Sequence, residues 1–324
     1  MRILVTGCAG FIGFHVVNRI IKNKKFKIYG IDNLNNNNDQ KKIKLSRLNY
    51  LKEKNKKFTF FKIDLSNFKK VKNNFIDYNY DIIIHLAAEA GVRNSIKNPI
   101  NFFKSNLNGF FNILECSRFI KAHHLIYASS SSVYGNSNKF PQTENNNTEM
   151  PESFYAASKK SNELMAYSYS LNYNLKTTGL RFFTVYGTYG REDMAIYKFS
   201  KSINDSKSLN LFNNGNHYRD FTYIKDVVDV IYKIIINKKK NSISSIYNIG
   251  FGKSYKLMDY LHHISKNFKK EAYINKSDFQ KGDVYKTHSS VKKIMKDFNY
   301  EPKYGIDRGI KAYVKWFKKY YSKN

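Results

Sequence analysis

The sequence is poor in cysteine, in long apolar runs and in acidic residues, and each scarcity narrows what the protein can be. Its 324 residues include two cysteines, Cys8 and Cys116, and neither has the Cys or His spacing of a metal site. At most one disulfide can form, so we expect a reducing compartment and no metal centre. The apolar runs are shorter than the roughly 18 residues of a membrane-spanning helix. The first residues enter a strand pattern directly, so we expect a cytoplasmic protein with no leader and no membrane partner.

Acidic residues are outnumbered by basic ones, 25 to 56, which leaves a formal net charge of +31. Such a charge is compatible with nucleic-acid binding, because basic surfaces release counterions from phosphate backbones. The lysines, however, are spread along the whole chain among Asn, Ile and Tyr rather than clustered. This pattern favours solvated faces, and we expect no nucleic-acid partner. The positive field would still attract anionic substrates.

Strand-like apolar segments alternate with helical patterns through the first half of the chain. The segments are residues 1–7, 26–33, 58–65, 80–88, 123–131 and 176–187. This alternation predicts right-handed crossovers and an α/β fold with a Rossmann-type, doubly wound parallel sheet. We assign residues 1–187, with 223–250 returning to them, to a nucleotide-binding domain. Residues 188–324 are less regular and are expected to form mainly a smaller C-terminal substrate-binding domain.

Three glycines mark a dinucleotide site where the first strand meets the first helix. Gly7, Gly10 and Gly13 allow a tight turn, close approach to a pyrophosphate and close packing of helix on strand. Asp32 ends the second strand, where its carboxylate can accept a hydrogen bond from a ribose 2′-hydroxyl and would repel a 2′-phosphate. The pattern therefore favours NAD over NADP. The alternative is a turn used only for packing, with Asp32 as a strand-end cap.

Further residues are expected to line the adenine and ribose groove because they flank the glycine turn or follow the first four strands. They are Phe11, Ile12, Asn33, Asp64, Leu65, Leu86, Ala87 and Ala88. His85 lies among them, at the end of the fourth strand. We expect it to be a packed, hydrogen-bonded side chain rather than a catalyst.

Tyr155 and Lys159 are four residues apart and therefore share one face of a predicted helix. A free tyrosine loses its proton near pH ~10, but a neighbouring ammonium and a bound nicotinamide cation favour the phenolate. Tyr155 could then act as a base toward a sugar hydroxyl while hydride moves to NAD. We assign both residues to the catalytic and the cofactor site. The alternative is a solvated helix face.

Three motifs together resemble the extended short-chain dehydrogenase/reductase superfamily: the glycine fingerprint, the serine run before Val133-Tyr134-Gly135, and Tyr155-x-x-x-Lys159. Within it the chain is similar to NAD-dependent nucleotide-sugar epimerases and most closely to UDP-glucuronate 4-epimerases. The stretches that carry this similarity are 85–95, 181–195, 219–228 and 282–287. The resemblance implies inversion of C4 of a UDP-sugar through a 4-keto intermediate, with UDP-glucuronate converted to UDP-galacturonate. It also implies a homodimer that packs helices around residues 100–118 and 155–172.

The resemblance gives the serine run distinct roles. Ser130 would hydrogen-bond the sugar O4 and share in the proton transfer. At the next two positions related dehydratases carry Asp and Glu, and related decarboxylases carry Glu at the second, whereas this chain has Ser131 and Ser132. We expect these serines and Thr184 to hold a C6 carboxylate, although Ser131 and Ser132 could instead cap the backbone. Ser129 is expected to pack.

The remaining substrate residues also come from the resemblance. It places Arg219 on the UDP diphosphate, Asp283 on the UDP ribose and Arg191 near the substrate, with surface ion pairs as the alternative for the arginines. Arg93 is either a phosphate contact or a helix-capping cation. Rival functions are 4-epimerisation of UDP-glucose or UDP-N-acetylglucosamine, decarboxylation of UDP-glucuronate, and a non-catalytic nucleic-acid-binding protein.

Overall fold

The computed structural model describes residues 1–35, 39–55, 57–237, 242–278 and 284–322, and the chain divides into two compact units. The first unit comprises residues 1–135, 144–182 and 228–248, and the second comprises 136–143, 183–227 and 249–324. The second unit includes residues 136–143, 183–187, 223–227 and 249–250, which the sequence analysis assigned to the first domain.

The strands alternate with helices along the chain. The strands are β1 (Arg2–Thr6), β2 (Lys27–Asp32), β3 (Thr59–Lys62), β4 (Ile82–His85), β5 (His124–Ser130), β6 (Thr177–Phe182), β7 (Thr184–Tyr186), β8 (Leu209–Phe212), β9 (Tyr218–Arg219), β10 (Phe221–Tyr223), β11 (Ser244–Ile249), β12 (Tyr255–Lys256) and β13 (Ile274–Ser277). The helices are α1 (Phe11–Ile20), α2 (Asp39–Lys54), α3 (Phe68–Tyr78), α4 (Val92–Lys97), α5 (Pro99–Phe102), α6 (Gly109–Phe119), α7 (Phe154–Tyr173), α8 (Ala195–Asn204), α9 (Ile224–Ile236), α10 (Leu257–Phe268), α11 (Lys292–Phe298) and α12 (Ile306–Tyr321). A π-helical turn, Phe103–Asn108, joins α5 to α6.

The first unit is built on a seven-stranded sheet in the order β11-β6-β5-β4-β1-β2-β3. Neighbouring strands among β1 to β6 pair in parallel. The order reverses between β1 and β4, and at such a point the helices that follow the strands diverge and leave a crevice at the carboxyl ends. The predicted doubly wound parallel sheet is confirmed.

Apolar side chains from the sheet and its helices form one continuous core in the first unit. Leu4, Ile83 and Leu125 lie on adjacent strands and join a buried cluster with Phe75 of α3 and Phe110 of α6. Full burial of each such side chain contributes roughly 1.5–3 kcal/mol. The core therefore holds the strand ends that carry the site residues in a rigid frame.

The described residues of the second unit form three two-stranded sheets, β7 with β10, β9 with β12 and β8 with β13. A buried carboxylate joins its segments: Asp220, between β9 and β10, accepts hydrogen bonds from the backbone N–H groups of Phe251, Gly252 and Ser289 at 2.8, 3.1 and 2.9 Å. Asp220 is fully buried, so these donors replace the water that its charge would otherwise need.

No helix within the described ranges is both long enough and apolar enough to cross a membrane. Cys8 and Cys116 are free thiols, and both are buried.

Candidate active site

The glycine turn between β1 and α1 leaves no room for side chains. Gly7 has a φ of +68°, and an ideal Cβ there would lie 2.8 Å from the backbone nitrogen of Ala87. A Cβ on Gly13 would lie 2.1 Å from the carbonyl oxygen of Gly7. Gly10, at the N-cap of α1, has no side chain to occupy the first amides of the helix. The turn and helix N-terminus thus form a bare cradle that fits a pyrophosphate, and Phe11 and Ile12 lie in the helix's first turn.

Asp32 lies at the end of β2 beside this turn and is buried. Its carboxylate accepts hydrogen bonds from the backbone N–H groups of Ala9, at 3.2 Å, and Leu34, at 2.9 Å. Lys44 Nζ lies 3.7 Å from the same carboxylate, a contact that sequence reasoning missed. Carboxylate oxygens can each accept more than one hydrogen bond, so Asp32 can also accept one from a ribose hydroxyl. The residues present therefore fit a dinucleotide.

The ends of β3 and β4 supply the rest of the predicted groove. The Asn33 side chain donates to Asp64 at 3.2 Å, and the Ser66 N–H and hydroxyl donate to Asp64 at 2.9 and 2.7 Å. Burial acts to raise the pKa of Asp64, but these hydrogen bonds outweigh it and hold that pKa below its ordinary value. Asp64 is thus an ionised acceptor beside the buried Leu65.

Thr6 organises the neighbouring end of β4. Its carbonyl accepts from the Leu86 N–H at 3.2 Å, its hydroxyl accepts from the Ala87 N–H at 3.3 Å, and the next residue, Ala88, is half-buried. The Thr6 hydroxyl also lies 2.9 Å from His85 Nδ1. Burial, assisted by the charge of Lys159, lowers the pKa of His85 to about 3. His85 is therefore a neutral, hydrogen-bonded side chain, as expected from its position.

The serine run spans the end of β5 and a short 3₁₀ turn, Ser131–Tyr134. Ser130 caps this turn, because its hydroxyl accepts from the Ser132 N–H at 3.1 Å and lies 3.1 Å from the Ser132 hydroxyl. Ser131 and Ser132 are half-buried, whereas Ser129 is buried and donates to Glu163 at 2.6 Å. The expected packing role of Ser129 is therefore confirmed.

Helix α7 carries the predicted catalytic pair. It begins at a cap in which Ser153 accepts from the Ala156 N–H at 3.1 Å, and this places Tyr155 in the first turn. Lys159 is only 2% exposed, and its ammonium donates to the Ala128 carbonyl at 2.9 Å. Burial lowers the pKa of Lys159 to about 8. The solvated-face alternative is therefore wrong for Lys159, which points onto β5 two residues before Ser130.

Asn106 is a buried residue of this region that sequence reasoning missed. The π-helical turn presents its amide to the backbone of Glu89, from whose N–H it accepts at 2.8 Å and to whose carbonyl it donates at 3.0 Å. The same amide group lies 3.3 Å from the Ser158 hydroxyl. An Asn inside the apolar pattern of residues 100–118 was the available signal. The contacts fix the segment after β4 against α7, next to Lys159.

The predicted substrate residues of the second unit lie on its short strands and loops. Thr184 is half-buried in β7, in register with Phe221 of β10. Arg219 of β9 donates to the carbonyls of Tyr218 and Tyr285 at 3.0 Å each. Arg191 forms a two-pronged ion pair with Asp193, which is the geometry of the ion-pair alternative. Asp283 lies outside the described residues, and Arg93 is an exposed residue of α4 in the first unit.

Comparison with known proteins places the chain among relatives that it matches over nearly its full length. Protein CapI of Staphylococcus aureus is 42% identical and aligns over 100% of both chains. UDP-glucuronate 4-epimerase of Thermodesulfobacterium geofontis is 39% identical over 97% of this chain and 95% of its own. The crystal structure of UDP-glucuronic acid 4-epimerase from Bacillus cereus, in complex with UDP-glucuronic acid and NAD, superposes with a TM-score of 0.92 at 31% identity, covering 99% of this chain and 100% of that one.

The family model matches the part of the chain that carries the site. The NAD dependent epimerase/dehydratase family matches residues 3–250, which include the glycine turn, the serine run and the Tyr155–Lys159 pair. The resemblance to nucleotide-sugar epimerases and the NAD cofactor expected from the motifs are both confirmed. The chain therefore belongs to the NAD-dependent epimerase/dehydratase family.

Proposed function

We propose that the protein is a UDP-sugar 4-epimerase that converts UDP-glucuronate to UDP-galacturonate. The observation that carries the proposal is the buried ammonium of Lys159, held on β5 at the Ala128 carbonyl, one helical turn after Tyr155. Ser130 ends the same strand two residues further on. The three groups that a C4 oxidation needs for proton transfer are thus carried by two packed elements of one unit.

The residues act on the proton of the sugar 4-hydroxyl. Lys159 stabilises the phenolate of Tyr155, which takes that proton, and Ser130 holds the sugar O4. NAD, when bound on the glycine turn, supplies the hydride acceptor for C4 and later the hydride for the opposite face of the ring. Tyr155 then returns the proton to the oxygen of the 4-keto sugar. The net change is inversion at C4 with no consumption of cofactor.

The neutral serines support the choice of a uronate. A 4-keto glucuronate is a β-keto acid, which loses carbon dioxide readily when its carboxylate is desolvated. Ser131 and Ser132 are half-buried hydroxyls that can donate to that carboxylate and hold it, as Thr184 can. A carboxylate side chain in place of Ser132 would instead repel it. We therefore assign these three hydroxyls to the C6 carboxylate.

The nucleotide part of the substrate is assigned to basic and acidic residues of the family pattern. Arg219 is assigned to the UDP diphosphate, because the planar fork of a guanidinium suits the oxygens of a phosphate. Arg191 and Arg93 bind near the substrate, and Asp283 binds the UDP ribose. The Arg191–Asp193 ion pair must then open or share its donors when substrate binds.

We further propose that the protein is a homodimer. Helices α6 and α7 and the segment before α6 expose large apolar side chains at helical spacing. They are Ile100, Phe103, Phe111, Leu164, Tyr167 and Leu171, each 45–67% exposed. Clustered exposed apolar side chains often mark an interaction surface, and two copies of this helix pair can bury them as a four-helix bundle.

The proposed function is tested by product analysis. Purified protein without added NAD is incubated separately with UDP-glucuronate, UDP-glucose and UDP-N-acetylglucosamine, and products are identified by proton NMR. We expect UDP-galacturonate from UDP-glucuronate alone, and no product from the Tyr155→Phe variant. A UDP-pentose would show decarboxylation. Conversion of the neutral sugars alone would refute the assignment of the hydroxyls to a carboxylate.

A further inference from the structure

A buried ion pair lies directly behind the serine run. Arg181 of β6 and Glu163 of α7 are each 3% exposed. They meet through two parallel hydrogen bonds of 2.8 Å, from Arg181 Nε to Glu163 Oε1 and from Arg181 Nη2 to Glu163 Oε2. This two-pronged geometry fixes the angle as well as the distance between a strand and a helix.

The pair reaches both ends of the serine run. On the Glu163 side, the Ser129 hydroxyl donates to Oε1 at 2.6 Å. On the Arg181 side, Nη1 donates to the Tyr134 hydroxyl at 3.0 Å. Ser129 precedes Ser130, and Tyr134 closes the turn that Ser130 caps. The network therefore holds the backbone on each side of the hydroxyl that the proposed function places on the sugar O4.

The same pair is also tied to the catalytic helix. Glu163 lies one helical turn after Lys159, on the buried side of α7. Arg181 engages both Glu163 oxygens, whereas the Lys159 ammonium donates to the neutral Ala128 carbonyl. The ammonium thus keeps its positive charge available to the Tyr155 phenolate.

Stability alone is a weak reason for such a pair. Desolvation of two buried charges commonly cancels their attraction, and apolar replacements of similar volume are often as stable or more so. A buried charged network does, however, accept few alternative arrangements, since every departure leaves a charge unpaired. The network contacts the elements that carry Ser130 and Lys159. We therefore infer that it controls the relative positions of these two side chains.

We propose that Glu163, Arg181 and Ser129 are positioning residues that fix Ser130 and Lys159 relative to each other for the transfer of the 4-hydroxyl proton. The proposal rests on the proposed function. It gives Ser129 a role other than capping or substrate binding. The hydroxyl of Ser129 joins the end of β5 to α7 through its hydrogen bond to Glu163. None of the three residues touches substrate or cofactor in this account.

The test compares two buried side-chain hydrogen bonds of β5, one at its carboxyl end, to α7, and one where it begins, to β6. Ser129→Ala removes the bond to Glu163, whereas Thr178→Val removes the 2.8 Å bond between Thr178 and His124 where β5 and β6 begin. Both bonds are buried, so we expect similar decreases in melting temperature. We expect kcat for UDP-glucuronate to fall about tenfold or more in Ser129→Ala with KM nearly unchanged, and to stay near wild type in Thr178→Val.

Arg181→Lys is the second variant, because lysine keeps the positive charge but cannot make the two parallel hydrogen bonds to Glu163. It should retain bound NAD, lose kcat and shift the pH profile of kcat, a change that general loosening of the fold would not cause. Equal kcat in Ser129→Ala, Thr178→Val and wild type, or a kcat loss that merely follows melting temperature in all variants, would overturn the proposal. Failure of the wild-type protein to epimerise any UDP-sugar would instead refute the proposed function.

Discussion

Adding one methyl group to the glycine turn is predicted to abolish cofactor binding. In Gly13→Ala the new Cβ would lie 2.1 Å from the carbonyl oxygen of Gly7 and 2.8 Å from its carbonyl carbon. Both neighbours are backbone atoms, so relief requires that α1 move away from the turn by more than about 1 Å. Overpacking of this kind costs about 1–3 kcal/mol of folding free energy, and the shift displaces the helix amides that hold the pyrophosphate.

The assay measures NAD released from purified protein together with melting temperature. We expect Gly13→Ala to carry little NAD and to melt below wild type even after NAD is supplied. Gly305→Ala is the control, because Gly305 also lies at the start of a helix, at the N-cap of α12, and its new Cβ meets only a ring atom of Phe251 at 3.6 Å. A Gly13→Ala protein with wild-type NAD content would refute the assignment of the turn to the pyrophosphate.

Three further predictions concern proton transfer, the second unit and assembly. Because burial lowers the pKa of Lys159 to about 8, its ammonium is present below that pH and lost above it, so kcat should fall as pH rises through about 8; a flat profile to pH ~10 would contradict this. Asp220→Asn replaces a carboxylate that accepts three backbone N–H bonds, so the free energy of unfolding in urea should drop by about 3 kcal/mol; an unchanged midpoint would argue against a structural role. Leu164→Glu with Leu171→Glu should convert a dimer to a monomer by light scattering, whereas Ile76→Glu, an exposed apolar position on α3, should not; an unaltered dimer in the double variant would exclude this interface.

Local patterns were enough to predict the cofactor side of the site. The turn requires glycine because of contacts between residues that are only a few positions apart. One of them is the hydrogen bond from the Gly10 N–H to the Gly7 carbonyl, at 2.9 Å. Tyr155 and Lys159 share a helix face through helical spacing alone. The alternation of apolar segments predicts the sheet, because parallel strands need helical crossovers.

Contacts between distant parts of the chain could not be predicted in this way. Arg181 and Glu163 pair across 18 positions, and each alone has the appearance of a surface charge in the sequence. Asn106 meets the backbone of Glu89 only because a π-helical turn rotates it inward. The burial of Lys159, which lowers its pKa, follows from the packing of α7 on β5 and has no signature in the residue itself.

The fate of the hydrogen on C4 tests most directly whether the protein inverts that carbon by hydride transfer to NAD and back. UDP-glucuronate that carries deuterium at C4 is incubated in ordinary water with the purified protein and no added NAD, and the product is analysed by NMR and mass spectrometry. We expect UDP-galacturonate that retains deuterium at C4, because the hydride removed from that carbon is the one returned to it. Exchange of the deuterium for solvent hydrogen, or a product without the carboxylate, would contradict this mechanism.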